Sequence, residues 1–247
     1  MIMTLACVTF TSCSDDDKDE PGANVPSNIK HLVSLTATDA DGNVTSVTNV
    51  KYDSKNRVIS FTLNEDHETY NYTYDYASDI TIKTDGEVNS KYILKNGLIE
   101  KADYGEREYY IFKYSNNRLS SYTSEYDNLD PFKYTFDWVN ANVECFYGED
   151  SSYESEEYEY ASAKCITPII YFTQLTQTPY NQFESEELFL FSQGYFGDSL
   201  TANLIKTTYG NNDAEFEYQL DNDGYVTKMT VRSKYAYSSQ TVNISWE

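Results

Sequence analysis

Between Leu32 and Trp246 the chain sets aromatic or aliphatic residues against polar ones in short alternating runs, and turn-forming residues separate the runs. A period of two places every second side chain on the same face of a strand, one face apolar and the other polar. Tyr109–Tyr126, reading YYIFKYSNNRLSSYTSEY, is the clearest case. Two alternating runs flank Asn116-Asn117, a pair that tolerates positive φ and suits a tight turn. Asp85-Gly86 and Asn96-Gly97 punctuate the chain in the same way. Tyr70, Tyr72, Tyr74 and Tyr76 share one face, as do Phe132, Tyr134, Phe136 and Trp138 further on. Aligning Tyr52, Tyr74, Leu94, Tyr114 and Phe136 gives intervals of 22, 20, 20 and 22 residues, the spacing of two strands and two turns. The expected fold is all-β: an antiparallel meander of repeated hairpins forming a strongly curved sheet or barrel.

The pattern breaks once. Ile166 to Phe172 reads as an apolar strand, after which Thr173 to Leu204 loses its alternation. Within that stretch Ser185-Glu186-Glu187-Leu188-Phe189-Leu190-Phe191 predicts a short helix opening on a Ser cap and early acids. This irregular insertion is the expected cover for an exposed sheet edge. Glu149 to Tyr160 is strongly acidic and reads as a protruding hairpin end.

Composition narrows the function classes. The net charge of −22 argues against nucleic acid or anionic headgroups as electrostatic partners. With two His and no C-x-x-C spacing, neither a metal site nor a cofactor is expected. Cys145 and Cys165 fit either a disulfide across a hairpin or two separate buried thiols. Abundant acids make some carboxylate pair inevitable, no G-x-S-x-G elbow occurs, and no enzyme activity is expected. Asp39–Asn43 and Asp221–Gly224 lack the length and closing Glu of a calcium loop and read as turns.

The N-terminus divides into an apolar segment, residues 1–12, an acidic tether, 13–27, and a single domain from 28 to 247. The apolar run ends at Cys13 and gives way at once to Ser14-Asp15-Asp16-Asp17. This resembles a bacterial lipoprotein signal, in which Cys13 would be lipidated; Cys7 is a weaker acceptor because the acids begin only after Cys13. The run is too short to span a membrane.

The leader, the Tyr-rich hairpins and the segment Gly194-Tyr195-Phe196-Gly197-Asp198-Ser199-Leu200 resemble a family of Bacteroidetes lipoproteins with a porin-like, all-antiparallel fold. The acidic tether resembles those that direct such proteins to the cell surface. Tyr52-Asp53-Ser54-Lys55-Asn56-Arg57-Val58 with Tyr72-Thr73-Tyr74-Asp75 is more loosely similar to the YD repeats of Rhs-type shell proteins. The resemblance implies an outer-membrane lipoprotein, surface-exposed or facing the periplasm, that meets the membrane only through its lipid. It carries no activity. A transmembrane barrel needs an apolar outer band, whereas Asn71, Thr73, Asp75, Lys133 and Asp137 would face outward here.

The remaining expectation is binding. Aromatic residues off the repeat, Tyr153, Tyr158, Tyr160, Tyr195 and Phe196, are the candidate platform for a glycan, with an envelope protein as the other partner class. An apolar-ligand carrier, lipid for example, and a structural or adhesive component are the alternatives. Asp198-Ser199-Leu200 also resembles an O-glycosylation acceptor.

Overall fold

The computed structural model describes residues 30–65, 67–105, 108–126, 129–148, 156–172, 178–180, 183–210, 213–234 and 239–247. The leader with Cys13, the tether, and Tyr153 with most of the acidic hairpin end lie outside them. Sixteen strands form one closed antiparallel barrel in which each strand pairs with its neighbours in sequence, and the last pairs with the first. They are β1 (Leu32–Asp39), β2 (Val44–Tyr52), β3 (Val58–Glu65) and β4 (Glu68–Tyr76). Next come β5 (Ile80–Thr84), β6 (Glu87–Lys95), β7 (Leu98–Asp103) and β8 (Glu108–Ser115). The third quarter is β9 (Arg118–Tyr126), β10 (Phe132–Val139), β11 (Asn142–Gly148) and β12 (Glu156–Lys164). After an internal segment, β13 (Asn203–Tyr209), β14 (Ala214–Leu220), β15 (Val226–Ser233) and β16 (Gln240–Trp246) complete the circuit.

The turns carry the chemistry expected of them. Asp85, Asn96, Asn116 and Asn117 all have positive φ, at 51°, 51°, 51° and 62°. Asp39 Oδ1 accepts from the backbone N–H of Asp41 and Asn43, and Asp221 Oδ1 from Asp223 and Tyr225, so in each Asp-rich turn one carboxylate oxygen holds the turn's own backbone.

The structure also explains the aromatic repeat. Odd strands begin, and even strands end, at the barrel mouth where β1 starts. There a ring at or near the end of each second strand ties down the backbone at the start of the strand before it. Tyr52 bonds to Leu32 O (3.4 Å) and N (3.0 Å), Tyr76 to Val58 O and Tyr114 to Ile99 O (2.8 and 2.7 Å). Trp138 bonds to Leu119 O and Tyr160 to Val143 O, both at 2.7 Å. Tyr218 and Trp246 do the same to Ile205 O and Val226 O, at 2.6 and 2.7 Å. Each clamp closes the open end of a hairpin at about 1 kcal/mol net. Leu94 holds the corresponding place on β6. The unit of repetition is therefore offset by one strand from Tyr109–Tyr126, and its equivalent residues are Tyr76 and Trp138 rather than Tyr74 and Phe136, two positions away on the same faces.

A barrel of 16 to 18 strands is wide enough to leave a channel. Here the lumen is filled. Ile166–Phe172, expected as a strand, holds a short 3-10 helix at Pro168–Tyr171, since Pro168 lacks the N–H a ladder needs and Thr167 caps the turn. The predicted helix α1 is Ser185–Ser192, but its N-cap is Glu184, in a capping box with Glu187. All six residues from Glu186 to Phe191 are buried. Phe189 packs on Phe61 of β3, and Phe112 of β8 meets both Phe183 and Phe196, with centroids 5.1 to 6.2 Å apart. Tyr171 reaches β13 and β14 through Ile205 N–H (3.0 Å) and the Tyr218 hydroxyl (3.0 Å). The insertion thus crosses the interior as a plug, and pairing of β1 with β16 removes the edge it was expected to cover.

Gly197 is what lets the plug dock. At φ +66°, a Cβ there would lie 2.2 Å from Asn117 O. Without one, Asp198 N–H bonds to Asn117 O at 2.7 Å, and the Ser199 hydroxyl accepts from Leu119 N–H at 2.7 Å. The Asn116-Asn117 turn is thereby the seat of the plug's exit.

The outer face carries charges between scattered exposed apolar residues such as Val33, Ile59 and Ile93. Asp75, Lys91, Lys113, Asp137, Glu157 and Glu217 are all exposed, on six different strands around the circumference. Charges on a lipid-facing barrel surface cost about 2–4 kcal/mol each for Lys or Arg at the bilayer midplane. The wall thus carries charge on its outer face and turns its apolar face inward.

Candidate functional site

The two mouths differ. At the mouth where β1 starts, a slot of about 250 Å³ opens between the barrel wall and the plug. The wall side is aromatic: His31 and Tyr52 stack with centroids 4.1 Å apart at 12°, and Tyr225 meets Trp246 at 5.1 Å. Their tips are tied back, Tyr52 to Leu32, Trp246 to Val226 and the Tyr225 hydroxyl to Lys30 N–H (2.9 Å), so the rings are fixed. Burial pushes the Tyr52 hydroxyl up to about 12, so it stays protonated. The plug side supplies Ile169 and Phe189 as apolar floor, with Thr167, Ser192 and Gln193 as polar groups. Thr167 and Ser192 share a hydrogen bond of 2.6 Å.

Gln193 is buried, 5% exposed. The Tyr76 hydroxyl lies 2.8 Å from both Val58 O and Gln193 Oε1 and has one proton to share between them. The other end of the amide, Nε2, has no partner, and neither has Nε2 of His31. Lys30 at the rim is paired with Asp221 and Asp223, both at 2.6 Å, and these bonds raise its pKa to about 12.

At the opposite mouth a polar cleft of about 670 Å³ lies between Glu65, Tyr70 and Tyr72 of the wall and Glu184–Glu186 of the plug. Behind it, Asn89 donates to Glu186 (2.8 Å) and the Tyr104 hydroxyl to Glu187 (2.6 Å). Burial, above all, raises Glu186 to about 8 and Glu187 to about 7. These acids fasten α1 inside the barrel. No cluster of metal-ligating side chains occurs among the described residues.

The described members of the candidate aromatic platform, Tyr158, Tyr160, Tyr195 and Phe196, do not form an exposed surface. Tyr158 is buried on β12, and Tyr195 and Phe196 are buried in the plug, at 2% and 0% exposure. Phe196 is packed among Phe112, Phe183 and Phe191. Tyr160 serves as a clamp on Val143. Tyr195 and Phe196 are core because the segment that breaks the repeat is the one that fills the lumen, whereas Tyr158 and Tyr160 belong to the wall strand β12. Ser199, 2% exposed and bonded to Phe196 O and Leu119 N–H, is closed to glycosylation. No disulfide joins Cys145 to Cys165, and burial pushes Cys165 up to about 12, which leaves its thiol inert. The slot residues escaped sequence reasoning because Tyr52 and Trp246 lie on the repeat, and Gln193 carries no motif at all.

No protein-family model matches the chain, and no curated protein matches it. Solved structures do. A porin-like protein from Bacteroides uniformis superposes with a TM-score of 0.67 at 17% identity, over 90% of this chain and 99% of that one. A porin-like protein from Bacteroides vulgatus gives 0.59 at 12% identity, over 89% and 99%. At these identities the likeness is one of fold: a large antiparallel barrel.

Proposed function

We propose that this chain is a non-enzymatic cell-envelope protein, anchored to the outer membrane through lipid on Cys13 and displayed at the cell surface, that binds a glycan or a protein partner at a mouth of its barrel. The observation that carries the reading is the filled lumen. A barrel whose interior is aromatic core and whose exterior is charged neither conducts solutes nor spans a bilayer, which leaves its mouths for recognition. The apolar run that ends at Cys13 supports anchoring, the acids behind it support surface display, and the Bacteroides origin of both similar barrels supports the envelope address. An apolar-ligand carrier is disfavoured, because pockets for drug-sized ligands run to about 300–1,000 Å³, the slot holds about 250 Å³, and the cleft of about 670 Å³ at the other mouth is walled by Glu65, Glu184 and Glu186.

A glycan array probed with the purified chain tests the binding half, and binding to at least one polysaccharide class is expected. An array without signal, joined by failure to capture any envelope protein, would remove it. Mass spectrometry of the membrane-associated chain tests the anchor: Cys13→Ala should lose the lipid mass, and an unchanged product refutes the anchor.

A further inference from the structure

We infer that the slot between the aromatic wall and the plug is a subsite for one neutral sugar ring, held with its C–H face on Tyr52 and Trp246 and its hydroxyls toward Gln193. This rests on the glycan half of the reading above and adds the place and the chemistry.

Three observations carry it. The first is shape. One side of the slot is an arc of rings and the other is the plug, and the space of about 250 Å³ between them suits a single ring. A pyranose is flat, with apolar C–H groups on its faces and hydroxyls at its edges, and it matches a site that is aromatic on one side and polar on the other. The second is the amide. Gln193 is buried, its position is fixed by Tyr76, and one of its ends is left without a partner, as is Nε2 of His31, which also lines the slot. A buried polar group left unpaired costs about 1–3 kcal/mol, a penalty that a hydroxyl arriving in the slot would remove. The third is charge. Lys30, at the rim, is engaged by Asp221 and Asp223, and Arg57 nearby pairs with Asp53 at 2.8 Å while lying over the Tyr76 ring. With these cations already paired, a uronic acid finds no counter-ion, and a neutral sugar loses nothing. The platform is also preorganised. Because the clamps hold Tyr52, Tyr225 and Trp246 before any ligand arrives, little side-chain freedom remains to be lost on binding.

The test is a titration of the full chain with methyl glycosides of neutral hexoses, followed by the Trp246 indole N–H and the Gln193 side-chain amide in NMR spectra. Galacturonate serves as the charged counterpart. The expected result is movement of both signals by a neutral glycoside, at least about tenfold weaker binding of galacturonate, and about tenfold weaker binding by Gln193→Leu, the loss of one hydrogen bond. Ser192→Phe, whose ring would enter the slot from an exposed position, should abolish binding with the fold intact. If polysaccharide binding survives unchanged in Ser192→Phe, the slot assignment is wrong while the glycan reading stands. If galacturonate binds as well as the neutral sugar, the charge argument fails and the proposal with it. If the chain binds no carbohydrate of any kind, both fall together.

Discussion

Replacing Gly197 by Ala probes how the plug is held. The added methyl would sit 2.2 Å from Asn117 O, a backbone atom of a tight turn that cannot swing aside. The φ of +66° adds strain of about 1–2 kcal/mol for any residue with a Cβ. Relief of the overlap requires the plug's exit to retreat, which breaks the Asp198–Asn117 bond and leaves Leu119 N–H without the Ser199 hydroxyl. Each donor so stranded costs about 1–3 kcal/mol, and the expected total is about 4 kcal/mol. Gly42→Ala is the internal control: Gly42 has φ +88° with nothing near its would-be Cβ, so it registers strain alone. Equilibrium guanidinium unfolding of the two variants against the parent measures the difference. Gly197→Ala should exceed Gly42→Ala by at least about 2 kcal/mol. Equal losses would refute the claim that this glycine exists to seat the plug on the hairpin turn.

Other expectations follow from the same interior. Glu186 and Glu187 ionise near 4.5 when unfolded but at about 8 and about 7 when folded, so the stability they support is full below 4.5 and is lost as pH rises to 7–8. The urea midpoint should therefore fall between pH 5 and pH 8, and Glu187→Gln should flatten that slope; an unchanged slope contradicts the assignment. Ala141 sits at φ 65° beside Asn140 at φ 51°, where Asn-Gly is the favoured pair, so Ala141→Gly should stabilise by about 0.5–1 kcal/mol in thermal unfolding. Leu94 occupies the clamp position that lacks a ring, beside a void of about 220 Å³ shared with Tyr76, Ile80 and Tyr195. Leu94→Tyr should fill it and raise stability by up to about 1 kcal/mol; a loss would mean that the void does not accept a clamp.

The barrel wall was legible because period and turn chemistry are local. Alternation in Tyr70–Tyr76 sets the faces, and Asn96-Gly97 or Asn116-Asn117 sets the reversals, with little help from distant contacts. The offset of the repeat was not legible, because Tyr74 and Tyr76 point to the same side and only the bond to Val58 O separates clamp from core. The plug was half legible. Ser185–Phe191 announced a helix, but an uninterrupted apolar run reads alike on an edge and in a lumen, and burial on every side distinguishes the two only in three dimensions. Tyr195 and Phe196 misled for that reason: leaving the repeat looked like exposure and was in fact the deepest burial. The slot joins residues more than 200 positions apart, His31 and Trp246 among them, which closure between β1 and β16 alone brings together.

Native-state hydrogen exchange on the purified chain, in buffer without detergent, bears most directly on the claim that Glu186–Phe191 of the plug are part of the core of this barrel. The backbone amides of Leu190 and Phe191 lie on α1, whose side chains from Glu186 to Phe191 are buried. They should exchange only through global unfolding, with the same free energy as the amides of β3 and β8. If α1 exchanges rapidly while the strands stay protected, the lumen is not a packed interior, and the barrel is a conduit after all.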